Sequence, residues 1–315
     1  MNNPVVAIAC ADIHLSDKAP IARSEENKDD PMGWFKAMKR PLVQLRKIWE
    51  VCEKPPILYA GDIFHHWNSS AALINFAIRF LPRGWSISGQ HDIPYHSYEN
   101  IERSAYYTLA RTKRLTDISH GMWQADHDIA VTGFGWEAKI IRCSDIMAQG
   151  RLKIALLHRY VWKDEETKHP RAKDTDKIEN LPEELLSYDI VISGDNHIPF
   201  YTLKKSTKFI NCGSLMARNT DQREYKPRVW LIHKNGGVRK EYLDVSKDKW
   251  VDPKQVSVVK DTSGLRILTK AFKKLRNSPI DFTKSVEDVI KHGDVDPGVK
   301  KILQETLEKV KHDLK

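Results

Sequence analysis

The sequence predicts an α/β layered domain, and three observations predict it. Apolar runs of four to six residues recur through residues 5–245. Segments with helical spacing of apolar residues lie between them. Each apolar run ends in a small or polar cluster, as buried strands do where they reach a loop. The first run, Val5–Cys10, enters Ala11-Asp12-Ile13-His14. Leu42, Leu45, Ile48 and Trp49 then share one face of a helix over Pro41–Cys52. Ile57–Ala60 enters Gly61-Asp62, and Ala71–Phe80 repeats the helical spacing with Leu73, Phe76, Ala77 and Phe80. Trp85–Ser88 enters Gly89-Gln90-His91-Asp92, followed by a helical segment at Ile101–Ala110. Ile129–Thr132, Lys153–Leu157, Asp189–Ser193 and Phe209–Asn211 are further strands, with a helix at Pro182–Ser187. Asn235-Gly236-Gly237 joins Val229–His233 to Val238–Val245 as a hairpin that closes the sheet. Two long polar segments, Ser16–Gly33 and the lysine-rich Tyr160–Lys177, read as loops.

Composition narrows the class. The chain has 315 residues, 41% hydrophobic and 30% charged, which is the balance of a soluble globular protein. No apolar run reaches about 18 residues, so no transmembrane helix is expected. The N-terminus lacks a secretory pattern, and four cysteines without a CxxC pair read as reduced thiols, so a cytoplasmic protein is expected. Lys and Arg number 51 against 42 Asp and Glu, a net +9. The last 70 residues hold 16 of those cations and 11 of the anions. The sequence therefore divides into residues 1–245 and a basic region, 246–315. Leu268, Ala271, Phe272 and Leu275 predict a helix there whose Lys270, Lys273 and Lys274 lie off the apolar face and could follow DNA phosphates. A second tail helix starts near Asp296-Pro297. No GxxxxGK[ST] loop or GxSxG elbow occurs, which argues against an ATPase or a serine hydrolase.

The chemistry lies where the strands end. Asp12 and His14, Asp62, Gln90 and His91, His158, and Asp195 and His197 each follow an apolar run. Loops at the carboxyl ends of strands converge on one crevice in open α/β sheets. Core packing does not call for Asp, His and Gln at so many strand ends. Mixed oxygen and imidazole ligands suit a divalent transition metal, and an oxygen-rich set leans towards manganese or magnesium. Asp62 is the natural bridging carboxylate for a pair of ions. Gly61, Gly89 and Gly194 permit tight turns beside the ligands.

The order Asp12-x-His14, Gly61-Asp62, Gly89-x-His91-Asp92, His158 and Gly194-x-x-His197 resembles the calcineurin-like metallophosphoesterase superfamily. Asp12-Ile13-His14-Leu15, Gly61-Asp62-Ile63-Phe64-His65 and Asn211-Cys212-Gly213-Ser214-Leu215 most resemble its SbcD-type DNA repair nuclease subunits, which include phage-encoded versions. The resemblance implies a four-layer αββα metallophosphoesterase sandwich, followed here by a small helical C-terminal tail. It implies two divalent ions, manganese first and magnesium as the alternative. One would be held by Asp12, His14, Asp62 and His197, the other by Asp62, Gln90, His158 and Asp195. His91 matches the family's histidine that acts on the scissile phosphate, with Asp92 accepting its other ring N–H. His65 and Arg159 stand where substrate contacts are expected. Two positions depart from the family pattern. Gln90 replaces an asparagine and Asp195 replaces a histidine, and both fall on the second ion. The implied activity is exonuclease and endonuclease cleavage of DNA with an SMC-like, SbcC-type ATPase as partner, a homodimer being a further expectation. Two other readings stay open: a phosphoesterase acting on a small nucleotide or phosphoprotein, and a catalytically weak DNA-binding scaffold.

Overall fold

The computed structural model describes residues 3–143, 150–170 and 172–252. Lys270, Lys273, Lys274 and both expected tail helices lie outside the described residues. Met1–Trp250 form one compact unit built around two sheets. The first sheet contains β1 (Val5–Cys10), β2 (Ile57–Ala60), β3 (Gly84–Ile87), β4 (Leu115–Asp117), β11 (Arg228–His233) and β12 (Val238–Tyr242), in the order β12-β11-β1-β2-β3-β4. The second contains β5 (His120–Ala125), β6 (Ile129–Phe134), β7 (Leu152–His158), β8 (Ile190–Gly194), β9 (Phe200–Lys204) and β10 (Thr207–Asn211), in the order β5-β6-β7-β8-β10-β9. The central neighbours pair in parallel, and the antiparallel pairs lie towards the edges. No helix among the described residues is long and apolar enough to cross a membrane.

The period of two along each strand sorts its side chains into layers. On β2, Ile57 and Tyr59 face the helices, whereas Leu58 and Ala60 face the second sheet. On β7, Ile154 and Leu156 join that inter-sheet core, and Ala155 and Leu157 face outward. β8 divides in the same way, with Ile190 and Ile192 inside and Val191 outside. On β1, Val6 and Ala7 both join the inter-sheet core. A register shift between Val5 and Ala7 accounts for this break in alternation.

Four layers result, as expected, but the two outer layers are built differently. Helices α1 (Gly33–Val51), α2 (Ala71–Phe80) and α3 (Ala105–Arg111) cover the first sheet. The outer face of the second sheet is covered by short 3-10 turns, among them Ile178–Asn180 and Glu183–Ser187, which bury Ile178 and Leu185. The segment expected as a helix over Pro182–Ser187 is one of these turns. It is too short to offset the unfavourable nucleation of an α-helix. Helix α2 has the bounds its periodicity predicts, capped by the Ser70 side chain on the Leu73 N–H. Helix α1 begins earlier than Pro41, because Trp34, Ala37 and Met38 continue the buried stripe and Pro41 lies inside the helix. Strands β4, β5 and β9 had no apolar run to mark them. They are edge strands or short, and β5 is largely solvent-facing.

The polar segment Ser16–Gly33 is anchored by charge. Glu26 accepts from the Arg23 and Arg40 guanidinium groups at 2.7 Å each and from the Lys249 N–H at 2.9 Å. Asp248 closes the network at 3.0 Å from Arg23 and 2.8 Å from Arg40. Burial pushes the Glu26 carboxyl up, but Arg40 and Arg23 outweigh it and hold the group below its ordinary 4.5. Its stabilising contribution is therefore complete above about pH 4.5 and lost as pH falls through the lower folded value. Glu26→Gln will lower unfolding free energy by about 2–4 kcal/mol at pH 7, since Arg23 stays buried with a weaker acceptor. Urea titrations across pH will show this deficit shrinking below pH 4.5.

Candidate metal centre

The loops after β1 and β2 run side by side. The Asp12 N–H donates to the Gly61 carbonyl at 3.1 Å, and the His14 N–H donates to the Asp62 carbonyl at 3.0 Å. This pairing brings Asp12, His14 and Asp62 together at one end of the sheet. Asp12, His14, Asp62 and Asp195 all hold positive φ, between 48° and 77°. Such conformations cost about 1–3 kcal/mol each at non-glycine residues and cluster at functional sites.

Two sets of ligand atoms meet at Asp62. In the first set, His14 Nε2 lies 3.2 Å from His197 Nε2, 3.9 Å from Asp12 Oδ1 and 3.7 Å from Asp62 Oδ2. In the second, His158 Nε2 lies 3.5 Å from Asp62 Oδ2 and 2.7 Å from Gln90 Oε1. The Gln90 amide donates to Asp195 Oδ1 at 2.9 Å. All seven expected ligands thus converge. The two residues that depart from the family pattern, Gln90 and Asp195, are hydrogen-bonded to each other.

The donor chemistry fits divalent cations. Asp62 Oδ2 is buried, faces both histidine sets and has no hydrogen-bond partner. A buried, unpaired carboxylate oxygen costs several kcal/mol unless a cation compensates it. His158 Nδ1 lies 2.7 Å from the Ala60 carbonyl and donates to it, so Nε2 is the atom turned to the site. In the neutral ring, His158 Nε2 and Gln90 Oε1 are two acceptors in contact, and only a proton or a metal ion can satisfy both. Burial lowers the pKa of His158, but Asp62, Asp195 and Asp12 outweigh it and raise it well above the ordinary value. Burial raises Asp12 well above the carboxylate range, with Asp62 and Asp195 adding to the rise. Burial also works upward on Asp62, yet His158, His14 and His91 hold it below its ordinary value. His14 is pushed well down by burial, so its ring is neutral near pH 7 and its lone pair is open to a cation. The centre is a knot of like-charged and desolvated groups that a pair of dications would relieve.

His91 stands over this centre. Its backbone N–H donates to Asp62 Oδ1 at 3.0 Å, and its ring stacks on His65 at 5.2 Å between centroids. Its Nδ1 lies 2.8 Å from the His65 carbonyl, so that oxygen orients the ring. This corrects the expected role of Asp92. Asp92 is buried and accepts from the backbone N–H groups of Ile63, Phe64 and Gly89 at 3.0–3.2 Å. It ties the Asp62 loop to the His91 loop and does not touch the His91 ring. Burial and the Asp62 charge raise its pKa to about 7, against the pull of the three N–H groups. His65 packs between His91 and His66, and burial pushes its pKa down to about 4. Arg159 is paired with Asp176 at 2.9 Å and lines a cavity beside His158.

Sequence reading missed two residues that support the centre. Arg218 is buried and donates to the His14 carbonyl and to Ser16 Oγ, and it fixes the strained loop from below. Asn196 donates to the carbonyls of Val161 and Thr167 at 2.7 and 2.8 Å and pins the lysine-rich loop to the Asp195–His197 turn. Asn196 lies between two expected ligands, a signal that could have marked it. Arg218 had no comparable motif.

No family profile and no curated protein matches this chain. Solved structures similar to it include the sulfate thiohydrolase SoxB of Thermus thermophilus, at 11% identity and a TM-score of 0.45, covering 82% of this chain and 60% of that one. A 5′-nucleotidase precursor, also from Thermus thermophilus, is similar at 12% identity and a TM-score of 0.43, over 77% of this chain and 54% of that one. An archaeal phosphodiesterase is similar at 11% identity and a TM-score of 0.37, over 75% of this chain and 99% of that one.

Two predictions test that geometry. A Cβ at Gly89 would stand 2.1 Å from Asp62 Oδ1 and 2.6 Å from the Asp62 nitrogen. Gly89→Ala will therefore displace Asp62, and calorimetry with Mn²⁺ will show loss of metal binding. Gln90→Asn and Asp195→His will each weaken Mn²⁺ binding on the His158 side, because each alone breaks their mutual hydrogen bond. The double variant will recover affinity, giving a coupling energy of about 0.5–3 kcal/mol.

Proposed function

We propose that this chain is a two-metal phosphodiesterase that cleaves DNA. The observation that carries the reading is Asp62 Oδ2, buried without a hydrogen bond and facing His14 on one side and His158 on the other. A carboxylate placed to serve two ions suits a two-metal site for in-line displacement at phosphorus. Asp12, His14, His197 and Asp62 would hold one ion, and Asp62, His158, Gln90 and Asp195 the other. The second set has a single imidazole among oxygens, which favours manganese, with magnesium next. When bound, the ions would supply positive charge to the phosphate oxygens and acidify water at neutral pH.

The chain's own groups do the rest. His91 donates its Nδ1 proton to the His65 carbonyl and so keeps Nε2 for the substrate side. When the ring carries a proton on both nitrogens, the Nε2 proton can pass to the leaving oxygen, and the ring returns to its neutral Nδ1–H form. Asp92 fixes the backbone that carries both His91 and Asp62. The net charge of +9 supports a polyanionic substrate, because the metal centre itself is lined by carboxylates and the cations lie elsewhere. The resemblance to SbcD-type motifs supports DNA over a small phosphomonoester, and with it an SMC-like ATPase partner in a bacterial or phage-infected cytoplasm.

A nuclease assay on single- and double-stranded DNA tests the reading. Wild type will cut DNA with Mn²⁺ and stop when EDTA is added. Asp62→Ala will lose both cleavage and metal binding. His91→Ala will keep both ions by calorimetry and lose about 10²–10⁴-fold in turnover. Hydrolysis of p-nitrophenyl phosphate with no DNA cleavage would assign the centre to small phosphomonoesters, and DNA binding without cleavage would leave a scaffold.

A further inference from the structure

We infer that the cavity beside His158 and Asp195 is a nucleoside pocket, which receives one unstacked nucleoside attached to the phosphate under attack. The inference rests on the phosphodiesterase reading and names the substrate group on one side of the scissile phosphorus. The cavity measures about 470 Å³. It falls in the range of small-molecule sites, about 300–1,000 Å³. Its walls include His158 and Asp195, which belong to the second ligand set, so a phosphate at the centre has an ester arm at the cavity mouth.

The walls match a nucleoside in shape and chemistry. Trp136 and Tyr160 line the cavity, with Leu157 completing an apolar side. Aromatic walls hold bases by stacking whatever their sequence. Both rings are held in place before any ligand arrives. The Trp136 backbone N–H donates to the Ser88 carbonyl at 3.0 Å, and its indole packs against His96 at 5.3 Å. The Tyr160 hydroxyl donates to the Thr167 carbonyl at 3.1 Å and accepts from the His169 N–H at 2.7 Å. Arg159 uses Nε and Nη2 on Asp176 Oδ1, at 3.1 and 2.9 Å. Its charge is thereby balanced, and it can act in the cavity as a hydrogen-bond donor to a base or sugar. Lys173, exposed at the rim, has no ion pair among the described residues and is placed for a neighbouring phosphate. The volume matches one nucleoside, and a duplex would present it from a strand end or by extrusion.

The test compares two diesters with the same leaving group, the p-nitrophenyl ester of thymidine 5′-monophosphate and methyl p-nitrophenyl phosphate, using the full chain with Mn²⁺. Wild type will prefer the nucleoside ester by at least tenfold in kcat/KM. Trp136→Ala will reduce that preference about tenfold, and Trp136→Phe will restore most of it. A wild-type ratio near one, or a ratio unchanged in Trp136→Ala, overturns the pocket while leaving the phosphodiesterase reading intact. If neither ester is hydrolysed, that reading fails and binding decides the inference alone. Calorimetry should then show thymidine 5′-monophosphate binding to wild type and at least tenfold more weakly to Trp136→Ala. Absence of binding overturns it. A short single-stranded oligonucleotide distinguishes the two sources of the nucleoside. Weaker binding when its terminal base is removed assigns the pocket to a DNA strand. Unchanged oligonucleotide binding, beside tight monophosphate binding, assigns it to a free nucleotide.

Discussion

The buried carboxylate of Asp62 is the constraint on which the rest of the molecule depends. Its backbone carbonyl holds the His14 N–H, its Oδ1 holds the His91 N–H, and its Oδ2 faces His14 and His158 without a hydrogen bond. One side chain thereby joins the ends of β1, β2, β3 and β7. Placing Asp12 and Asp62 side by side out of water is unfavourable unless positive charge is supplied there. The imidazoles supply it only by staying protonated, which removes them as ligands. Divalent cations would resolve the conflict, and Asp12, His14, Asp62 and Asp195 carry backbone strain around the same point.

The second ligand set shows how a change at one position is balanced at another. A glutamine at position 90 carries its amide one methylene further than an asparagine would. Asp195 accepts from that amide at 2.9 Å and turns the Gln90 carbonyl oxygen towards His158. Considered singly, Gln90 and Asp195 are two unrelated departures from the motifs that the sequence resembles. Together they form a connected pair in which each sets the other's orientation. Asp92 is a comparable case. Its place beside His91 in the sequence suggests a direct bond to the ring, but the turn directs its carboxylate inward to three backbone donors. The His65 carbonyl takes over the task of orienting His91.

Electrostatics also organises the layers around the centre. The segment between β1 and α1 is polar, yet it lies against the core because Arg23, Glu26, Arg40 and Asp248 satisfy one another. Arg218, which follows β10, reaches the His14 carbonyl. Two of these contacts join distant residues, with sequence separations of 204 for Arg218 to His14 and 208 for Arg40 to Asp248.

Local pattern alone was enough to read the strand ends, the bounds of α2 and the polar strand-end residues that the structure brings together around Asp62. Apolar runs ending in Asp, His or Gln are local features, and the period of two or 3.6 residues is set by backbone geometry within each segment. Edge strands β5 and β9 and the 3-10 layer over the second sheet left no such trace. Their positions come from the neighbours they cover, and their own residues are polar or short-range in pattern. The partner of Asp92, the Gln90–Asp195 bond, the role of Arg218 and the cavity walls formed by Trp136 and Tyr160 were decided only by tertiary structure. Each depends on the direction in which a side chain leaves a turn, and packing between distant segments fixes that direction.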